Sequence, residues 1–141
     1  SRQPMSPLVA DASIVFKCLM PESGSVEAAA LLQAADPALA PELIYAEIAN
    51  ALRNSVRRSI VRRDKANRAL EVLMGMSITP LKLQPLTPDA FALALEFDHP
   101  VYDCYYLAAA IQNDAALATA DERLYDLAQR VGLGERAILV R

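Results

Sequence analysis

The sequence has no tryptophan, one histidine, two cysteines and four glycines in 141 residues. Each shortage removes a class of chemistry. A single His99, with no Cys-x-x-Cys and no His-x-x-x-His spacing, excludes a zinc site of the ordinary kind and any mechanism that needs two histidines. Four glycines form no Gly-rich phosphate loop, which argues against ATP and dinucleotide binding. No Gly-x-Ser-x-Gly turn is present, so His99 is read as a loop residue ahead of Pro100, outside any serine triad. Cys18 and Cys104 sit among apolar neighbours and read as small core residues, not as a disulfide. Long apolar runs are missing as well. The longest stretch free of charged, amide or imidazole side chains is Val72–Leu81, 10 residues that include Pro80, whereas a spanning helix needs about 20. No basic-then-apolar leader opens the chain, so the expected compartment is the cytoplasm, with no membrane partner. Ser1-Arg2-Gln3-Pro4 ahead of Met5 reads as an added lead-in, leaving 6–141 as one domain.

What the chain does have is apolar bulk. Hydrophobic residues make up 54%, and the net charge is only −3. That supports one packed core and does not announce a nucleic-acid binder in bulk. The basic residues are unevenly placed, however. Arg53, Arg57, Arg58, Arg62, Arg63, Lys65 and Arg68 crowd one stretch, opposed there only by Asp64. The stretch reads either as a solvated helix face or as a surface that follows an RNA backbone, with Arg53, Arg57, Arg58, Arg62 and Arg63 as its contacts.

Short apolar runs with strand character alternate with helical patterns. Strands are expected at 7–10, 38–40, 78–83, 115–119 and 137–140. Helices are expected at 13–20, 23–35 (capped by Ser23 or Ser25), 41–58 (with Pro41 in its first turn), 62–76, 87–97, 103–113 (opened by Asp103) and 121–131 (closed by Gly132). Helices that separate continuously apolar strands imply a parallel sheet covered on both faces. In such sheets ligands bind beyond the carboxyl ends of the strands.

Acids stand at those ends. Asp11 follows the first strand directly, and Asp121 follows the 115–119 strand by two residues. Glu47 is the least ordinary of them. At about 100° per residue, it falls between Leu43 and Ala51, on the arc shared with Ile44, Ile48 and Leu52. Arg53 and Arg57 lie on the opposite side. A carboxylate facing the core needs a cation, a metal or a hydrogen-bond network, and no Lys or Arg lies on that arc within a turn. Carboxylates that converge without a cationic side chain are resolved by a hard divalent ion, Mg²⁺ or Mn²⁺. The chemistry this suggests is hydrolysis of a phosphate ester. A haloacid-dehalogenase-like phosphatase would want a second Asp where Ser13 stands.

Four segments carry a family resemblance. Leu8-Val9-Ala10-Asp11-Ala12-Ser13 resembles the opening strand and first acid of PIN domains. Ala46-Glu47-Ile48-Ala49-Asn50-Ala51-Leu52-Arg53 resembles their second motif, Tyr102-Asp103-Cys104-Tyr105-Tyr106-Leu107-Ala108 the third, and Ala118-Thr119-Ala120-Asp121-Glu122-Arg123-Leu124 the fourth. Order and spacing agree over nearly the whole chain, and the VapC-type toxin subgroup is the most similar. The resemblance implies a three-layer α/β/α fold with a central parallel sheet of four or five strands and about seven helices. It also implies a Mg²⁺- or Mn²⁺-dependent endoribonuclease, the toxin of a toxin–antitoxin pair, leaving 5′-phosphate and 3′-hydroxyl ends. It carries over Asp11, Glu47, Asp103 and Asp121 as the catalytic, metal-binding acids, with Ser13, Asn50 and Thr119 as supporting polar groups. The partners it implies are RNA, a VapB-like antitoxin and a second copy of the chain. Val15, Leu19, Leu31 and Leu32 are candidates for a groove that takes a partner helix, or else ordinary core. The rivals are a non-catalytic RNA- or protein-binding PIN module and a small metal-dependent phosphatase.

Overall fold

A computed structural model describes residues 6–141 of the chain. The reading of residues 1–5 as a lead-in lies outside the described residues. Five strands form one sheet: β1 (Leu8–Ala10), β2 (Ala38–Pro41), β3 (Thr79–Leu81), β4 (Ala116–Thr119) and β5 (Ala137–Leu139). Their order is β3-β2-β1-β4-β5, and every pairing is parallel. Seven helices alternate with them: α1 (Ala12–Leu19), α2 (Ser25–Ala34), α3 (Leu43–Arg57), α4 (Arg63–Gly75), α5 (Thr87–Phe97), α6 (Val101–Gln112) and α7 (Glu122–Arg130).

Side chains alternate between the two faces of a strand, and all three residues of β1 are buried. Both faces of the central strand are therefore covered, as its unbroken apolar sequence requires. The edge strand β3 is largely exposed and carries Pro80, a residue tolerated at an edge because it has no N–H to donate to the ladder. None of the helices is long and apolar enough to cross a membrane among the described residues.

Strand order reverses direction between β1 and β4. The sequence moves outward from β1 through β2 to β3, then returns to β4 on the other side of β1. The crevice at this switch point, beyond the carboxyl ends of β1 and β4, is where open α/β sheets place ligands.

Three local expectations need correction. Pro41 ends β2 and does not start α3, because the ladder runs past it: Glu42 N–H donates to the Leu81 carbonyl at 2.8 Å. Neither Ser23 nor Ser25 caps α2 with its side chain. Gly24, at φ 85°, holds the cap position, while Ser25 Oγ accepts from Glu22 N–H at 2.8 Å. Asp103 does not open α6 but is its third residue, behind Pro100 at the cap. Of the four residues named for a partner groove, Val15 is fully buried, while Leu19, Leu31 and Leu32 are only partly buried where they pack against the core. Cys104 is buried, Cys18 is half-buried, and both are free thiols.

Gly24 gives one prediction. A Cβ there would stand 2.8 Å from Val140 Cγ1 and 2.9 Å from the Arg141 carbonyl oxygen, on a backbone at positive φ that L side chains avoid. Gly24→Ala is expected to destabilise the fold by about 2 kcal/mol, read as a lower urea midpoint. An unchanged midpoint would refute this close approach.

Candidate functional site

Asp11 is the first residue beyond β1 and the N-cap of α1. Only 6% of it is exposed. Ile14 N–H donates to its Oδ1 at 3.1 Å, as capping requires. Two hydroxyls complete the cradle. Ser13 Oγ donates to Oδ1 at 2.5 Å and Thr119 Oγ1 to Oδ2 at 2.5 Å. Each hydroxyl is oriented in turn by a backbone N–H: Ala120 N–H donates to Ser13 Oγ at 2.9 Å, and Asp121 N–H donates to Thr119 Oγ1 at 3.0 Å. The register that pairs Ala10 with Ala118 brings these groups together across the switch point. Thr119 is fully buried at the end of β4.

Among the described residues, no Lys or Arg pairs with this carboxylate. Burial pushes the Asp11 carboxyl up to about 6, against the hydrogen bonds from Ser13, Thr119 and Ile14, which favour its charged form, and with a further push from the charge of Asp103. Glu47, on α3, is raised for the same first reason. Burial outweighs its bond from Tyr106, and the charges of Asp103 and Asp11 add to it. Asp11 and Glu47 thus both feel the charge of Asp103.

Tyr106 and His99 are the residues that sequence reasoning missed. The Tyr106 hydroxyl donates to Glu47 Oε1, which answers the question of what satisfies a carboxylate on the apolar face of α3. Burial and the facing carboxylates raise the Tyr106 phenol well above its ordinary range, so it stays a donor. His99 Nε2 and Asp103 Oδ2 are hydrogen-bonded at 2.9 Å. His99 is a loop residue, as expected, but its ring is tied to an acid of the crevice. A signal existed for both. Tyr106 follows Asp103 by three and His99 precedes it by four, the spacings that share a helix face.

Asp121 behaves differently from the other three acids. It caps α7, and its Oδ1 accepts from Arg123 N–H at 2.8 Å with the side chain exposed. Asn50 is exposed on α3, one turn beyond Glu47, and its side chain makes no hydrogen bond among the described residues. Among the described residues, no three His, Cys, Asp or Glu side chains stand close enough to ligate one ion. The donor set nonetheless fits a hard divalent cation. It is all oxygen and anionic, lacks a basic partner, and is partly desolvated, so it carries charge that such an ion would offset.

Arg53, Arg57, Arg58, Arg62 and Arg63 are exposed along the end of α3 and the start of α4. Of the five, only Arg62 faces a carboxylate among the described residues, Asp64 at 3.6 Å. Arg53, Arg57 and Arg63 line a cleft of about 490 Å³ between the two helices, over Leu52 and Leu70.

Comparison with known proteins fits this architecture. The chain is 35% identical over 120 residues to Ribonuclease VapC3 of Pyrobaculum aerophilum, covering 83% of this chain and 91% of the relative. Its fold matches the crystal structure of PAE2754 from Pyrobaculum aerophilum with a TM-score of 0.73 and 22% identity, over 96% of this chain and 84% of that one. It also matches VapBC2 from Rickettsia felis, bound to a DNA fragment from their promoter, with a TM-score of 0.66 and 13% identity, over 94% and 96% of the two chains. A toxin–antitoxin complex from Klebsiella pneumoniae matches with a TM-score of 0.61 and 14% identity, over 93% and 95%. The family described as PIN domain matches residues 8–130, and with that span and the curated relative together, the chain belongs to the PIN-domain family.

Proposed function

We propose that this protein is a metal-dependent endoribonuclease, the toxin of a VapBC-type pair. The observation that carries the reading is the Asp11 carboxylate: buried at the switch point, held by three donors, within reach of the charges of Glu47 and Asp103, and paired with no cationic side chain among the described residues. The similarity to a protein named Ribonuclease VapC3 supports the same class.

Asp11, Glu47 and Asp103 would hold Mg²⁺ or Mn²⁺, in part through the waters such an ion keeps, with Asp121 at the rim of the same crevice. When bound, such an ion lowers the pKa of a water and offsets charge on a phosphodiester. The chain's own residues do the rest. Ser13 and Thr119 fix the Asp11 oxygens, so the carboxylate presents its remaining lone pairs to the crevice. Tyr106 keeps Glu47 from turning toward the core, and His99 steadies Asp103. These hydrogen bonds preorganise the acids on strand ends and helices rather than on mobile loops. The test is incubation of total RNA with and without Mg²⁺, using the free protein, Asp11→Asn, and the protein co-purified with the product of the adjacent gene. Cleavage by the free protein in Mg²⁺ alone is expected. Equal cleavage by Asp11→Asn would reject the site.

The arginine face would follow the RNA backbone. Replacing Arg57, Arg58, Arg62 and Arg63 by Ala is expected to lower the slope of log K against log salt by roughly 3, at about 0.7 for each single-strand phosphate that is no longer neutralised. The measurement is RNA binding by fluorescence anisotropy from low to moderate salt. An unchanged slope would make these arginines a solvated face.

A further inference from the structure

Beside the acids lies a slot of about 250 Å³ between α1 and α3. Phe16, Ile48 and Ala120 supply apolar wall, and Ser13, Lys17 and Glu22 are its polar groups. The slot borders the acid cluster directly. Ser13 is the residue that holds Asp11, and Ile48 follows Glu47 along α3. Its volume lies below the range of about 300–1,000 Å³ that encloses drug-sized ligands and suits one flat ring system.

Lys17 is not an ordinary solvated lysine. Its side chain is 11% exposed. Its Nζ donates to the Ser23 carbonyl at 2.5 Å and to Glu22 Oε1 at 3.4 Å. An ammonium has three protons, so one remains to be donated. Glu22 Oε2 has no partner among the described residues. The slot therefore offers a ring face, one spare donor and one spare anionic acceptor, next to the carboxylates.

We propose that this slot takes one unstacked nucleobase of the RNA, with Phe16 as its stacking face and the Lys17–Glu22 pair reading its edge. The proposal rests on the nuclease reading above. Single-stranded RNA is read in this manner, by bases splayed onto aromatic rings and hydrogen-bonded at their edges. Guanine suits the pair best. It sets the O6 acceptor beside N1–H and the N2 amino group, so the ammonium takes the oxygen, Glu22 Oε2 takes one donor, and the second lone pair of Oε1, beside the one on Lys17, takes the other. Each of the other three bases offers the carboxylate a single donor group.

The experiment uses the full Asp11→Asn chain without divalent metal. Single-stranded fluorescent RNA with one guanine in a uridine background is titrated by anisotropy, beside the same RNA with adenine, cytosine or inosine at that position. Guanine is expected to bind roughly tenfold tighter than adenine, with inosine between them. Adding Glu22→Gln or Lys17→Met should bring the guanine preference to within about twofold, and Phe16→Leu should weaken all four RNAs together. If Phe16→Leu does not fold, the other two variants, which change an edge pair near the surface, carry the test. Equal affinity for guanine and adenine overturns the proposal, as does a preference that survives both Glu22→Gln and Lys17→Met. Wild-type protein that cuts no RNA while Asp11→Asn keeps its guanine preference would sink the nuclease reading and leave the slot standing. Cleavage by the wild type with no base preference in binding would do the reverse.

Discussion

Asp11→Asn is expected to lower RNA cleavage by roughly 10³-fold or more, the scale of removing several kcal/mol of metal-assisted charge stabilisation, while the protein remains folded. The fold survives because asparagine keeps the shape of the side chain and one acceptor oxygen, which suffices for the bonds from Ser13 and Ile14 that Asp11 Oδ1 now accepts. The Thr119 hydroxyl must reorient, since an amide N–H faces it in place of Oδ2. Without divalent metal the variant should be more stable than the wild type at pH 7, because it removes a desolvated charge from the reach of Asp103. The measurements are cleavage of a labelled RNA in Mg²⁺ and urea denaturation in EDTA. Cleavage at the wild-type rate would displace Asp11 from the chemistry. A metal-free variant weaker than the wild type would mean that the cradle prefers a charged carboxylate.

The second large effect is the pH dependence of that difference. Asp11 titrates at about 6 in the folded chain, against 3.8 for the ordinary carboxyl. The folded state therefore binds the proton more tightly than the unfolded one. Stability contributed by this group is present below about pH 4 and is lost as pH rises through 6. Two pH units of displacement correspond to about 3 kcal/mol. Every other titratable group is common to the two proteins, so the useful quantity is Asp11→Asn minus wild type. Measured in EDTA by urea denaturation from pH 4 to 7.5, that difference should grow by about 3 kcal/mol toward neutral pH. Saturating Mg²⁺ should erase the wild type's deficit, since the ion binds the folded, deprotonated site. A flat difference would mean that Asp11 is charged throughout the range.

The parallel sheet was legible because continuous apolar strands announce two-sided burial whatever their exact ends. Glu47 was legible as anomalous for a similar reason, since periodicity alone placed it among Ile44, Ile48 and Leu52. Its partner was not. The Tyr106 hydroxyl comes from 59 residues away; helix spacing puts Tyr106 on the face of Asp103, but nothing local encodes that it reaches Glu47. The register of β1 against β4 likewise decides that Thr119 reaches Asp11, and register is a property of the assembled sheet. Asp121 carries a local role that its position also encodes: its Oδ1 caps α7, as Asp11 Oδ1 caps α1.

The reach of one hydrogen bond has a consequence for synthesis. Thr119 Oγ1 meets Asp11 across 108 positions of chain, and Val140 N–H donates to the Thr119 carbonyl at 2.9 Å. Contacts so distant in sequence close late, after their loop entropy has been overcome. A ribosome-bound chain displaying β1, β2 and α3 already carries Asp11, Ser13 and Glu47, but neither β4 nor the Thr119 hydroxyl that holds the second oxygen of Asp11. The acid crevice takes shape only when β4 has left the exit tunnel and slotted beside β1. A protein that would cut RNA is thus harmless for most of its own translation, and a chain truncated before β4 should be inert however stable its fragment.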